Sequence, residues 1–163
     1  MNDLDNNYYC NCHDICTVVK PRSKELAFGA YMVTDTGTIE LTSTPVNLTF
    51  DLPSSTSKNI NFDQKDAITI IKSGAYRVDI FLSGVTLNTT NVNVNLAINN
   101  VANNDVQQVL EFTAVNTGTF ALVNYLTLTS GDELSIQMSS IPNTTFSFPP
   151  TGVAATLSVM RIF

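Results

Sequence analysis

Asn91-Val92-Asn93-Val94-Asn95-Leu96-Ala97-Ile98 is the clearest periodic stretch of this chain. Val92, Val94, Leu96 and Ile98 fall on one face and Asn91, Asn93 and Asn95 on the other, the period of two of a strand with one face buried. Asn99-Asn100 follows, and asparagine tolerates left-handed backbone, so a turn is expected there. Leu134, Ile136 and Met138 alternate with Ser135 and Gln137 in the same manner. Ser130-Gly131-Asp132 is a turn signal that joins this run to the preceding one. In that preceding run Phe120, Leu122, Leu126 and Leu128 share a face. Ala121, Val123 and Tyr125 make its other face apolar as well, so this strand is expected to be covered on both sides.

Further strands are expected over residues 26–33, 38–41, 46–50, 67–71, 76–85, 106–112 and 154–163. Gly, Pro, Asn or Asp punctuate the breaks, at Asp35-Thr36-Gly37, Leu52-Pro53-Ser54-Ser55, Ser73-Gly74, Asn103-Asn104-Asp105, Pro142-Asn143 and Pro149-Pro150. Nine or ten short strands without helical periodicity predict an all-β chain folded as a two-sheet antiparallel sandwich of jelly-roll type. The composition agrees. With 18 Asn, 21 Thr, no Trp and a charged fraction of 13%, about half the usual quarter, the chain favours strands over helices.

Charge and composition exclude several functions. Eight basic residues against 14 acidic ones give a net charge of −6, the wrong sign for non-specific binding to nucleic acid or an anionic membrane. No apolar run approaches the roughly 18 residues of a spanning helix. The polar, acidic start Met1-Asn2-Asp3-Leu4-Asp5 has no signal-peptide character, so synthesis without a secretory signal is expected. Seven glycines cannot supply a Gly-X-Y repeat. His13 is the single histidine, and no nucleophile–base pair or Gly-rich loop before a helix can be assembled. An enzyme is not expected, and neither a catalytic residue nor a cofactor is assigned.

The composition changes near residue 25. Residues 1–24 hold all three cysteines, His13 and the basic residues Lys20, Arg22 and Lys24 around Pro21. They are read as an N-terminal connector or tail, and residues 25–163 as one β domain. Along that domain run Ala27-Phe28-Gly29-Ala30, Val46-Asn47-Leu48-Thr49-Phe50-Asp51 and Ile71-Lys72-Ser73-Gly74-Ala75-Tyr76-Arg77-Val78. Leu96-Ala97-Ile98-Asn99-Asn100, Leu126-Thr127-Leu128-Thr129-Ser130-Gly131-Asp132-Glu133-Leu134 and a closing apolar run over 155–163 follow. In this order the segments resemble the complement C1q/TNF-like jelly roll, and more closely the C-terminal domain of Bacillus collagen-like exosporium proteins (the BclA type). The resemblance implies a homotrimer about a threefold axis, with innermost strands burying aromatic and aliphatic side chains between protomers. Where those relatives carry collagen stalks, this chain has the 24-residue tail, which is similar in position and composition to the cysteine-bearing connectors of endospore appendage fibre subunits.

Cys10, Cys12 and Cys16 form an odd set, which suggests bonds between chains. Inter-subunit disulfides are the first reading, since a trimer would bring nine such thiols together. A zinc site of three Cys plus His13 and free thiols are the others; the spacing is tighter than the usual pairs of ligands, and no metal is assigned. Asp63, Asp66, Asp132 and Glu133 lie near turns and are read as solvated rather than calcium-holding. The sequons at Asn47, Asn88 and Asn143 are near chance in so Asn- and Thr-rich a chain. Phe146-Ser147-Phe148-Pro149-Pro150 is read either as a docking lip for a neighbour's arm, carried by Phe146 and Phe148, or as a loop whose rings cap the sandwich. Two functions are weighed on these residues. One is a structural subunit that self-assembles into a spore-surface fibre, its trimers linked head to tail by the connector, with other exosporium proteins as further partners of the tail. The other is a trimeric binding or adhesion head on the exosporium or at a fibre tip.

Overall fold

A computed structural model describes residues 25–162. They form thirteen strands and no helix. In chain order these are β1 (Phe28–Val33), β2 (Thr38–Leu41), β3 (Val46–Asn47), β4 (Leu52–Pro53), β5 (Ile60–Asn61), β6 (Ile68–Ile70) and β7 (Gly74–Thr86). They continue with β8 (Thr90–Ile98), β9 (Val101–Phe112), β10 (Thr117–Leu128), β11 (Glu133–Ile141), β12 (Thr144–Ser147) and β13 (Ala155–Arg161).

Two antiparallel sheets face each other. In the first, β7 is the spine, and β10 pairs with it along its whole length on one side. On the other side β13, β1 and β4 occupy the half nearer Gly74, while β12 and β2 occupy the half nearer Thr86. The second sheet runs β5-β6-β11-β8-β9, with β3 also on β11. Alternation buries Tyr76, Val78, Ile80 and Leu82 of β7 against Val92, Val94 and Leu96 of β8 and Leu134, Ile136 and Met138 of β11, in one continuous core. Tyr76 is wholly buried, and its hydroxyl donates to the Lys72 carbonyl at 2.6 Å. Burial raises its pKa, because the phenolate would be charged in an apolar surround.

The jelly-roll sandwich expected from the sequence is therefore present, with its local signals in place. Asn99 and Asn100 both take positive φ (53° and 62°) in the two-residue turn between Ile98 and Val101, as a hairpin of that length requires. Gly131 turns at φ 97°, where Asp132 accepts a hydrogen bond from the Thr129 amide at 2.7 Å.

Some expectations need correction. Asn103-Asn104-Asp105, read as a break, lies inside β9. Asn95 pairs with Gln107 and Ala97 with Ala102, so residues 103–106 stand opposite Leu96 alone and the strand bulges instead of ending. Leu52-Pro53, also read as a break, makes a short edge pairing with Tyr31 and Met32, a place where proline's missing donor costs nothing. Residues 46–50 shrink to the two-residue β3; Leu48 and Phe50 are still buried, their amides bonded singly to the Ile136 and Lys65 carbonyls. Phe146 stands in β12 and not in a loop.

The start of the sandwich is tied to its base. Glu25 pairs with Lys72 at 2.9 Å, the Arg161 guanidinium donates to the Glu25 carbonyl, and Asn59 donates to the Leu26 carbonyl. Glu25 thus lies at the Gly74 end of β7.

Candidate functional site

Cys10, Cys12, Cys16 and His13 lie outside the described residues. Among the described residues no three His, Cys, Asp or Glu side chains gather as a metal site would need. The turn carboxylates have amide partners: Asn61 donates to Asp63, Asn47 to Asp66, Gln64 to Glu133, and Asn99 to Asp132. The Thr129 amide, with the Asn99 amide group helping against partial burial, holds the Asp132 carboxyl below its ordinary pKa.

The outer face of the β7 sheet has a different character. Strand register sets its side chains in three ranks. Ala121, Phe81, Thr156, Met32 and Leu52 form the first, and Val123, Asp79, Ser158 and Ala30 the second. Tyr125, Arg77, Met160 and Phe28 form the third. Phe81 is 37% exposed, Val123 48%, Met160 48% and Tyr125 63%. The two charges present, Arg77 and Asp79, are two residues apart on one strand and neutralise each other at 2.8 Å. Their hydrogen bond and charge attraction raise the Arg77 pKa. The opposite outer face carries the ranks Gln137-Asn95-Gln107, Ser139-Asn93-Val109 and Asn91-Glu111, in which Asn95 and Ser139 are buried and Val109 is 54% exposed. The second sheet's outer face is the richer in amides, while the three ranks on the β7 sheet are largely apolar around one ion pair. The sequence expectation that β10 is covered on both sides is not met within one chain: Phe120 and Leu128 are buried, while Val123 and Tyr125 face outward.

A second feature lies on the edge beyond β2. The sheet changes partners there, β13 and β1 ending at Ala155 and Val33 and β12 and β2 starting near Ser147 and Thr38. The gap leaves a groove of about 440 Å³ whose apolar lining includes Val33, Ile39, Val46, Phe50 and Phe148. Asp35, Glu40 and Asp51 also line it.

Of the two aromatic residues expected at a docking lip, Phe148 borders this groove. Phe146 does not. It is wholly buried, edge-on to Phe112 at 5.6 Å and to Phe148 at 5.5 Å, and closes the core under Gly84. Sequence reading missed the acidic groove, because Asp35, Glu40 and Asp51 come together only through the loop between β1 and β2 and the turn before β4. No local spacing signals that meeting. It also named Val123 and Tyr125 without their rank-mates Phe81 and Met160, whose neighbourhood is set by register between strands far apart in the chain.

No family profile matches the chain, and no curated protein matches it in sequence. Solved structures match its fold. The Eiger TNF of S. frugiperda superposes with a TM-score of 0.61 at 9% identity, covering 86% of this chain and 94% of that one. Murine APRIL superposes with a TM-score of 0.58 at 10% identity, covering 85% and 100%. At such identities the likeness is one of fold: a jelly roll of the C1q/TNF-like kind.

Proposed function

We propose that this chain is a structural subunit that self-assembles into a fibre on the spore surface, as a homotrimer formed through the outer face of the β7 sheet and joined to further trimers by residues 1–24. The carrying observation is that face. A contiguous set of ranks with half-exposed Phe81, Val123, Tyr125 and Met160, in which Arg77 and Asp79 pair with each other, is what a chain keeps for burial against other chains. The threefold, the spore surface and an exosporium setting are supported by the resemblance of the sequence to BclA-type domains. The connector role is supported by the placement of Cys10, Cys12 and Cys16 in the tail and of none in residues 25–163.

One observation favours a binding head instead. Leu87, Val115 and Ile141 are 70%, 74% and 63% exposed, and all lie at the Thr86 end of the sandwich, where the Val115 amide bonds the Thr86 carbonyl and the Leu87 amide the Thr145 carbonyl. Such an apolar tip could meet a receptor or substratum.

Negative-stain microscopy of the purified chain with and without a strong reductant separates the two. The fibre reading expects filaments from protein alone, shortened or dissolved by reductant. Discrete particles of three chains under both conditions would refute it in favour of the binding head.

A further inference from the structure

The groove beside β2 has the form and charge of a receiving site for a strand. β2 is bonded to β12 on one side, and among the described residues no strand pairs with its other side. The Ser140 hydroxyl and amide close only its far end, at the Leu41 and Thr42 carbonyls. The edge over Thr38–Glu40 therefore offers main-chain groups above an apolar floor, the arrangement by which a sheet takes on an added strand.

The carboxylates of the groove have neutral partners. Asp51 accepts from the Thr34 amide at 3.0 Å, the Thr34 hydroxyl at 3.1 Å and the Asp35 amide at 2.6 Å. Asp35 accepts from the Thr36 amide, and Glu40 from the Thr145 hydroxyl at 2.7 Å. The ion pairs among the described residues, Glu25–Lys72 and Arg77–Asp79, are elsewhere. Residues 25–163 carry five basic against eleven acidic side chains.

The segment that complements this groove is in the same chain. After Asp14 the tail holds no acid; Ile15, Val18 and Val19 favour extended backbone, and Lys20, Arg22 and Lys24 recur at the period of a strand. Pro21, which cannot donate to a ladder, would end the paired part at Lys20.

We propose that the groove receives residues 15–24 of a second copy, with residues 15–20 paired along β2 and Lys20, Arg22 and Lys24 crossing the rim formed by Asp35, Glu40 and Asp51. The inference rests on the reading of the chain as a self-assembling subunit. The second copy follows from where the chain runs. The tail joins β1 at Phe28, while the groove lies beyond Val33, about 17 Å further along the strand. Glu25 is held by Lys72 and Arg161 at the end of β1 away from Val33, so Lys24 and Arg22 of the same chain, one and three residues before it, reach at most about 4 and 11 Å from that anchor. Arg22 and Lys24 of a chain therefore fall short of its own groove, whereas the tail of a second copy can enter it. Such a contact is heterologous and does not close, so it propagates.

The test uses the full chain with Val19→p-benzoylphenylalanine, mixed from ¹⁴N- and ¹⁵N-labelled batches, assembled, irradiated and mapped by mass spectrometry, with filaments scored on the same grids. The proposal expects heavy–light cross-links to peptides carrying residues 33–51 or 148. Cross-links confined to light–light and heavy–heavy pairs would place the tail on its own chain and overturn it. Filaments whose heavy–light cross-links map elsewhere would overturn the groove and leave the fibre reading standing. Discrete particles without groove cross-links would overturn both. As a second arm, Asp35→Lys with Glu40→Lys should cut filament number at least about tenfold at unchanged melting temperature, and Lys20→Glu with Arg22→Glu in the same chain should restore it. Filament number indifferent to both pairs would refute the charge assignment.

Discussion

Tyr125→Ala tests the association face at its most exposed aromatic. Tyrosine can bury roughly 200 Å², and Tyr125 leaves 63% of itself exposed in the single chain. Covering that fraction removes about 125 Å² from water, worth about 3 kcal/mol at about 25 cal/mol/Å². Truncation should then weaken each subunit contact by about two powers of ten, at about 1.4 kcal/mol per tenfold. The isolated sandwich should hardly notice, because Tyr125 stands on the exposed outer face of its strand and a substitution on a solvated strand face costs less than about 1 kcal/mol. Sedimentation equilibrium over a concentration series is the assay. In salt and reductant sufficient to dismantle fibres the wild-type chain is expected at three times 17.7 kDa; because all three contacts of the ring weaken and a trimer's midpoint concentration follows the square root of its dissociation constant, the variant should dissociate at concentrations about a thousandfold higher. Val123→Asp beside Asp79, its cross-strand partner, should abolish association outright, since it would bury an unpaired carboxylate next to one whose Arg77 partner is already engaged. A Tyr125→Ala chain that holds its wild-type mass at every dilution would show that this face is not the subunit contact.

Two predictions concern the sandwich itself. An alanine Cβ at Gly84 would fall within the ring of Phe146 and 2.9 Å from the Ser147 carbonyl oxygen. Gly84→Ala should therefore cost about 1–3 kcal/mol by overpacking, seen as a lower melting temperature in scanning calorimetry; an unchanged transition would mean that Phe146 can step aside. Asp132 is held below its ordinary pKa mainly by the Thr129 amide, so its contribution to stability is present above the normal carboxylate range and is lost as pH falls through its depressed value. Asp132→Asn should accordingly flatten the acid limb of a urea-stability profile below about pH 4 while changing its neutral part less; an acid limb equal to wild type would remove Asp132 from that account.

Much of the sandwich was legible because its long strands obey one local rule. In β8 and β11 each position's fate follows from the parity of its neighbours, and in the turns Asn99, Asn100 and Gly131 stand where the backbone must be left-handed. What escaped detection was the short and the shared. β5 and β12 are two and four residues long, too brief for a period to show. The bulge in β9 looks like a break, since an excursion and a stop use the same Asn and Asp. Phe146 carries the same aromatic signal whether it lines a socket or plugs a core, and only its contacts with Phe112 and Gly84 decide. The association face was half visible for a related reason. An apolar Val123 and Tyr125 imply a cover, yet parity does not say whether the cover is this chain or another.

That ambiguity leads to a constraint on assembly. A face that covers itself by forming a closed ring of three is used up in doing so and cannot also lengthen a fibre. Growth needs a second contact displaced along the ring axis, and the strands supply the displacement: the tail departs at the Phe28 end of β1 and the acidic groove lies past the Val33 end. The first contact is apolar and should strengthen with salt. The second is ionic across an exposed rim and should weaken with it, as the screening length falls from about 8 Å at physiological ionic strength to about 3 Å at 1 M. The cysteines complete the logic, because residues 25–163 contain none and any disulfide made by Cys10, Cys12 or Cys16 within the assembly must join tail to tail. Such bonds would hold neighbouring tails together while leaving each groove contact as weak as its charges make it. Fibres dismantled at high salt should then yield intact trimers only when reductant is also present, and in its absence a covalently linked series of trimers. Single trimers released by salt alone would show that the tails are not bonded between rings.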